Sequence, residues 1–515
     1  MEDAAAAALD LAGGHRHPRQ PGREAGMIAL LSTAVLCVLV FVLSLRRPQW
    51  GLLLIAALVP FHGVLFIAPV LATFWKEAAV CTVVAACFFA PLPRGRAGVV
   101  PWLAPAVLLV IFGTVSAVLV LGPAAGFPVK IAFFYLLPVV VVHYFPFTRA
   151  DKDRLVTLLL ATGVVSAGYG LWQQLAGGWA LADLGYEWNE HIRSAGPLLR
   201  SFGTFNQPFP FGFFLMLVLV VGGAAALAEP GRRRSRLFWW LAPVLLVAMA
   251  SSVVRASIVG LLTAVIVLGV VFHRRLLGYL AALLGLGVLA VPVALALDRN
   301  GALATMLSST SLAERGGHWS QTLPQLLVHP FGNGLGTTGS AAQRVDALSS
   351  SLSRLYQPDN QYLKIGLELG GVGLALYVVV VGIAVVVLYR LIRLQPDRFE
   401  QAVTAAALAV TLAACVAGIF ATYLEIFPLD FYFWLLLAVG ASVPSPVAAR
   451  LGGWRLPQPP VPRRARGAPG GAAGAEDTGD TASSRSQHRG AVPASAPVSS
   501  PPQTGTTEKD TVDER

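Results

Sequence analysis

Between Met27 and Val443 the chain runs again and again through apolar stretches long enough to cross a lipid bilayer, joined by short loops that carry arginine. About 18 consecutive apolar residues suffice for a transmembrane helix, and a chain that repeats this length many times is built for a membrane. Spans are expected near 27–45, 50–71, 77–91, 101–121, 129–145, 155–175, 209–228, 237–252, 255–273, 276–297, 365–391, 402–421 and 428–443. The predicted fold class is an all-α polytopic integral membrane protein with about 12 or 13 transmembrane helices and one large extracytoplasmic loop. The charge content agrees: 13% of residues are charged, against about 25% in soluble domains.

The net charge of +11 sits in interhelical loops and near the C-terminus, a pattern of membrane topology rather than of nucleic-acid binding. Cys37, Cys81, Cys87 and Cys415 all lie inside apolar runs and read as small core residues, with neither a disulfide framework nor a metal site. With alternating spans, the basic loops at 94–96, 149–154, 232–236, 273–275 and 390–398 fall on one side, assigned to the cytoplasm. The segments 178–208 and 298–361 then face outward, as does the turn 422–427, and the C-terminus is cytoplasmic. Residues 1–26 are polar and expected to be disordered. From 444 to 515 the chain is rich in Pro, Gly, Ser and Ala and is expected to be a disordered tail.

The segment 298–361 is a long polar interruption, and loops of this length tend to be functional. Within it, 320–328 can form a short amphipathic helix, and Pro330, Gly332, Gly334 and Gly336 dictate a tight turn. The glycine run is no nucleotide fingerprint, because no strand precedes it in a βαβ setting.

Four features gather at the outer face. In Arg200–Pro208, Phe202 and Phe205 are expected at the membrane interface, with Arg200 and Asn206 as donors to an anionic head group; the plainer reading is an interfacial anchor with a snorkelling arginine. Arg255 is the only charge between Arg236 and His273. The distance to His273, at about 1.5 Å per residue, places it at the outer rim of its helix. A lone charge among apolar spans is a functional candidate or a snorkelling residue. Arg315, four residues before Trp319, offers a planar fork suited to phosphate oxygens, or a structural pair with Glu314. Where the loop returns to the membrane, Asp359 is either a general base or, like Asn360, an N-cap. Arg200, Arg255 and Arg315 with one carboxylate suit a lipid-linked diphosphate, anionic at the surface and apolar beneath, whose developing charge arginines stabilise as it departs.

These stretches resemble the O-antigen ligase / O-antigen polymerase superfamily of bacterial membrane glycosyltransferases. The resemblance spans roughly 27–443. It rests on Arg200-x-x-Gly-Thr-Phe-x-x-Pro208, on Ser251–Ser257 and on Arg315-x-x-x-Trp319. Pro330-x-Gly332-x-Gly334-x-Gly336, Asp359-Asn360-Gln361-Tyr362-Leu363 and Glu368-x-Gly370 complete it. It implies a helical fold whose outer loop covers the site, and transfer of a glycan from an undecaprenyl-diphosphate donor to a glycan or lipid acceptor without metal or cofactor. By that similarity Arg255 and Arg315 bind the diphosphate, Arg200 is a weaker third, and Asn360, Asn206 and Trp319 support the site. It also implies the bacterial plasma membrane, with a polysaccharide flippase or chain-length regulator as partner. Ligases of the family carry a histidine where this chain has Asp359. A carboxylate is a poorer proton acceptor than an imidazole, which favours a polymerase or another glycan transferase over a lipopolysaccharide ligase. A solute transporter and a non-catalytic scaffold of a polysaccharide assembly complex are the readings from other classes. Glu368, early in its span, is the most transport-like feature.

Overall fold

The computed structural model describes residues 23–195, 198–297, 319, 320, 324, 328–339, 341, 342 and 359–451. Each of the thirteen expected spans is helical over most of its length. The N-terminal helices are α1 (Arg23–Arg46), α2 (Pro48–Leu58, continued as a 3-10 turn to Phe66) and α3 (Trp75–Cys87). Helices α4 (Leu103–Leu121), α5 (Gly126–Phe133) and α6 (Leu137–Tyr144) follow, and then the long α7 (Arg149–Asp183). The chain continues through α8 (Pro208–Ala228), α9 (Arg233–Ser251), α10 (Arg255–Val271) and α11 (Arg275–Leu297). After the long loop come α12 (Gln361–Leu394), α13 (Arg398–Ala417), α14 (Leu429–Gly440) and the short α15 (Ser445–Arg450).

Among the described residues, seven helical runs are long and apolar enough to cross a membrane. The count is lower than the expected spans partly because α4 to α6 form one 42-residue run, and because α10 and α14 fall below the 18-residue length. Among the described residues, strand content is two short antiparallel pairs: β1 (Arg96–Gly98) with β4 (Ser442–Pro444), and β2 (Ser194–Ala195) with β3 (Leu198–Leu199). The chain is an all-α polytopic membrane protein.

The helices are arranged by how apolar they are all round. Helix α8 is hydrophobic on every face, the mark of a helix with no solvent side, and 83% of its most apolar window is buried inside the protein. Helix α13 is alanine-rich and 78% buried by the same measure. Small residues let backbones approach closely: a Cβ on Gly440 of α14 would stand 2.5 Å from Ala407 Cβ of α13. Helices α1 and α4 lie at the periphery, only 22% buried. Their exposed Leu30, Leu31, Val35, Leu108, Ile111 and Val115 form apolar surface suited to lipid.

One end of the bundle is laced with ion pairs. Thr148 and Asp151 form a capping box that starts α7: the Thr148 side chain accepts from Asp151 N at 3.2 Å, and Asp151 accepts from Thr148 N at 3.1 Å. Asp397 caps α13, and Arg149 bridges to both Asp397 (3.0 Å) and Glu229 (2.6 Å). Arg96 grips Glu400 with two bonds of 2.9 and 2.8 Å, while the buried Lys152 reaches the same carboxylate at 3.2 Å and Ser442 O at 2.7 Å. The arginines expected in the loops at 94–96, 149–154 and 232–236 therefore meet here. Among the described residues, β4 and α15 follow α14, and α1 begins at Arg23.

Candidate functional site

The opposite end carries the residues singled out above. Helix α7 is interrupted at Gly177, which takes φ +77° and ψ 170°. Just before the break, Gln173 and Gln174 hold the incoming segment 199–204. The Gln173 Oε1 atom accepts from Phe202 N (3.0 Å) and Gly203 N (2.9 Å), and its Nε2 donates to Gly203 O (3.0 Å). Gln174 Nε2 donates to Leu199 O and Ser201 Oγ, both at 2.7 Å. Thr204 binds Pro60 O at 2.7 Å, and Thr204 O accepts from Gly63 N at 3.0 Å. The expectation that Phe202 and Phe205 sit at the membrane interface is not met. Phe202 is buried with Leu181, Tyr186 and Ile192, and Phe205 packs on Phe211 and Phe214. The fixed backbone of the segment turns both rings into the protein.

Held this way, the segment delivers Arg200 to the corner between α9 and α10. Ser201 N donates to Ser251 O at 2.9 Å, and Arg200 Nε to Ser252 O at 3.3 Å. The corner is strained: Val253 has φ +53°, an outlier for a β-branched residue. Ser252 and Ser257 close it, with Val254 N donating to Ser252 Oγ (3.3 Å) and Ser257 Oγ to Val254 O (2.7 Å). Arg255 follows as the exposed first residue of α10. A cation is disfavoured by the helix dipole at that position, whereas an anion is favoured.

The long loop enters the same end through its described part, 328–339. Gly332, Gly334, Gly336 and Gly339 all have positive φ, as the turn chemistry required. This turn fills a break in α12 at Gly370, where φ is +65°. Asn333 N donates to Leu367 O (2.8 Å) and Gly334 N to Glu368 O (2.9 Å). The approach leaves no room for side chains. A Cβ on Gly332 would lie 2.4 Å from the Glu368 carbonyl, and one on Gly370 would lie 2.0 Å from Pro330 O.

Below the turn is a buried charge cluster. Lys364 Nζ donates to Glu368 Oε1 at 2.9 Å and contacts Glu425, which lies in the turn between α13 and α14. Thr338 donates to the same Glu368 oxygen through its hydroxyl (2.9 Å) and its backbone N–H (3.2 Å). Burial pushes the Glu425 carboxyl above its ordinary range, and the nearby Lys364 pulls it back only in part. Sequence reasoning had noted Glu368 but neither Lys364 nor Glu425. The Lys364–Glu368 spacing of four residues inside an apolar run was the available signal.

Asn360 caps α12, its Oδ1 accepting from Tyr362 N (2.9 Å) and Leu363 N (3.1 Å). The cap therefore belongs to Asn360, and Asp359 stands exposed beside it. The head of α12 docks on the turn after α13 through Gln361: its N–H donates to Gly418 O at 2.7 Å, and its side chain accepts from Leu424 N at 3.1 Å. Trp319 is helical and its ring lies 6.5 Å from that of Phe420, in the same turn. Arg315 falls outside the described residues, as do most of 320–328 and, of the segments expected to be disordered, residues 1–22 and 452–515.

The two corners adjoin. Helix α10 packs along α13, and a Cβ on Gly260 would stand 3.8 Å from that of Ala413. Five residues further out on each helix are Arg255 and Gly418, so these ends are separated by about the 8–10 Å of packed helix axes. Asn206 takes a different place, on the wall of a cavity of about 320 Å³ that also includes Lys76, Lys130, Tyr135 and Glu425. Among the described residues no three His, Cys, Asp or Glu side chains stand together as a metal site.

Residues 240–378 match the family model described as O-antigen ligase, about a quarter of the chain. The match takes in Arg255, Asp359, the buried Lys364–Glu368 pair and the break at Gly370, and it supports membership of the O-antigen ligase superfamily. No curated protein matches the chain.

Proposed function

We propose that this protein is a membrane glycosyltransferase that polymerises a surface polysaccharide or ligates it to an acceptor. Glycan passes from undecaprenyl diphosphate to an acceptor hydroxyl on the outer face of the bacterial plasma membrane, with the ion-paired end and the C-terminus in the cytoplasm. The observation that carries this reading is the corner at 251–255. It places Arg200 against Ser252 O and sets Arg255 at the first position of α10, where two guanidinium forks at one corner suit one anion. As the glycosidic bond to the diphosphate breaks, charge grows on the leaving phosphate, and preorganised cations lower that barrier. Arg315 supplies a third fork from the long loop. Asp359, exposed on the adjoining helix end, accepts or orients the attacking hydroxyl, and Trp319 and Asn360 fix the surface around it.

A transporter is the reading that one observation favours. Broken helices and buried ionisable groups mark transport pathways, and α12 has both, at Gly370 and at Lys364–Glu368. Yet Lys364 and Glu368 lie within the first eight residues of α12, and Glu425 lies in a turn. The break itself is occupied by the 332–334 backbone. The cluster thus anchors the loop at the outer end rather than opening a path through the centre.

The test uses purified protein in liposomes with an undecaprenyl-diphosphate oligosaccharide and candidate acceptors. Elongated glycan or a new conjugate is expected from the wild type and lost in Arg255→Ala. Donor that binds but is never consumed by the wild type would move the transport or scaffold readings ahead.

A further inference from the structure

The cavity beside Asn206 takes no part in the arginine corner. Its walls carry Lys76, Glu77, Lys130, Tyr135, Glu425 and Asp430, with Phe127 and Phe427 as apolar faces. It shares His62, Lys76, Glu77 and Lys130 with a neighbouring hollow of about 380 Å³. Both volumes lie at the lower end of the range for small-ligand pockets. Lys130 pairs with Glu77 at 2.9 Å, and Lys76 Nζ lies 4.0 Å above the Phe427 ring.

Several polar atoms in these walls are buried without a hydrogen-bond partner among the described residues: the Tyr135 hydroxyl, Glu77 Oε2 and His62 Nδ1. Tyr135 is only 7% exposed. Buried polar atoms are normally satisfied, so this set describes the ligand it lacks. Glu77 Oε2 accepts only, and needs a donor. An ionised diphosphate has no proton to give to that oxygen. Sugar hydroxyls donate and accept, and the aromatic faces suit the C–H face of a pyranose.

We propose that this cavity binds a neutral pyranose unit of the glycan acceptor; the assignment of the ligand as acceptor rests on the transferase reading above. Asn206 on its wall is six residues from Arg200, a reach of at most about 20 Å along the chain. A sugar seated there holds the acceptor chain close to the arginine corner without entering it.

Saturation-transfer NMR on the full-length protein in detergent, with methyl glycosides of hexoses and N-acetylhexosamines as probes, tests the site. At least one glycoside is expected to bind, and Tyr135→Phe and Glu77→Gln are each expected to weaken it about five-fold. Unfolding temperatures of the variants confirm that the fold is kept. Undecaprenyl diphosphate is expected not to displace the glycoside. The proposal is overturned if no glycoside binds, if both folded variants bind as tightly as the wild type, or if undecaprenyl diphosphate competes. Glycoside binding is read without turnover, so it can survive even where the donor is never consumed.

Discussion

The Thr338 hydroxyl donates to Glu368 Oε1 at 2.9 Å, tying the glycine-rich turn of the long loop to the N-terminal part of a broken helix. The same oxygen receives Lys364 Nζ, whose other partner is Glu425. Loop, helix α12 and the turn between α13 and α14 therefore share one buried cluster. Thr338→Val removes one donor to a charged group and is expected to cost about 1.5–3 kcal/mol. Glu368→Ala leaves Lys364 with a single carboxylate and should cost about 3–5 kcal/mol. Denaturant unfolding in detergent measures both, and a Glu368→Ala protein as stable as the wild type contradicts the cluster's role.

Gly370 and Gly371 are adjacent and make opposite predictions. At Gly370 a side chain meets both a positive φ and the Pro330 carbonyl, whereas at Gly371 it meets open space. Gly370→Ala is expected to expel the turn and abolish transfer. Gly371→Ala should retain transfer and stabilise the helix by about 0.5–1 kcal/mol. Parallel assays of the two variants decide the point, and an active Gly370→Ala enzyme refutes it.

Strain at Val253 is expected to hold Arg255 in place. Releasing a left-handed β-branched residue recovers about 1–2 kcal/mol, and the entropy of a new glycine takes back about 0.5–1 kcal/mol. Val253→Gly should therefore unfold at the same or a slightly higher temperature while transferring glycan more slowly. A variant that is both destabilised and fully active would show that the corner stores no functional strain.

The segment around His191 should loosen in acid. His191 packs against Phe66 and Tyr186, accepts from Glu187 N at Nδ1 (3.3 Å), and is held below its ordinary value by burial. A depressed folded value contributes stability that is full above the unfolded value of about 6.5 and is lost as pH falls towards the folded one. Hydrogen-exchange protection in 184–195, corrected for the intrinsic rate at each pH, is expected to fall between pH 7 and pH 5, and not in His191→Phe. An equal fall in that variant points to another group.

The helices were legible because apolar length alone dictates them: helix lies at all thirteen positions, although among the described residues seven runs are long and apolar enough to cross a membrane. The turn at Gly332, Gly334 and Gly336 was legible as well, because few residues other than glycine adopt positive φ. Partnerships made by the fold were not. Nothing in the local sequence says that Gln173 and Gln174 will grip the backbone at 199–203, that Phe202 will turn inward, or that Lys364 will find Glu425 sixty-one residues on. Such contacts depend on which helix ends are brought together. The choice between Asp359 and Asn360 as cap was likewise open in the sequence, since both residue types cap well, and the backbone decided it for Asn360.

The account's central claim is that the corner holding Arg200 and Arg255 grips a departing diphosphate. The most direct measurement is the stoichiometry of undecaprenyl diphosphate released against glycan transferred in liposomes, for wild type, Arg255→Ala and Arg255→Lys. The account predicts one diphosphate carrier released per glycan transferred by the wild type. It predicts a rate at least 100-fold lower in Arg255→Ala, about the loss of one preorganised donor to a developing anion. Lysine should rescue only part of that, because it lacks the planar fork. Transfer by Arg255→Ala at the wild-type rate, or glycan movement without carrier release, would contradict it.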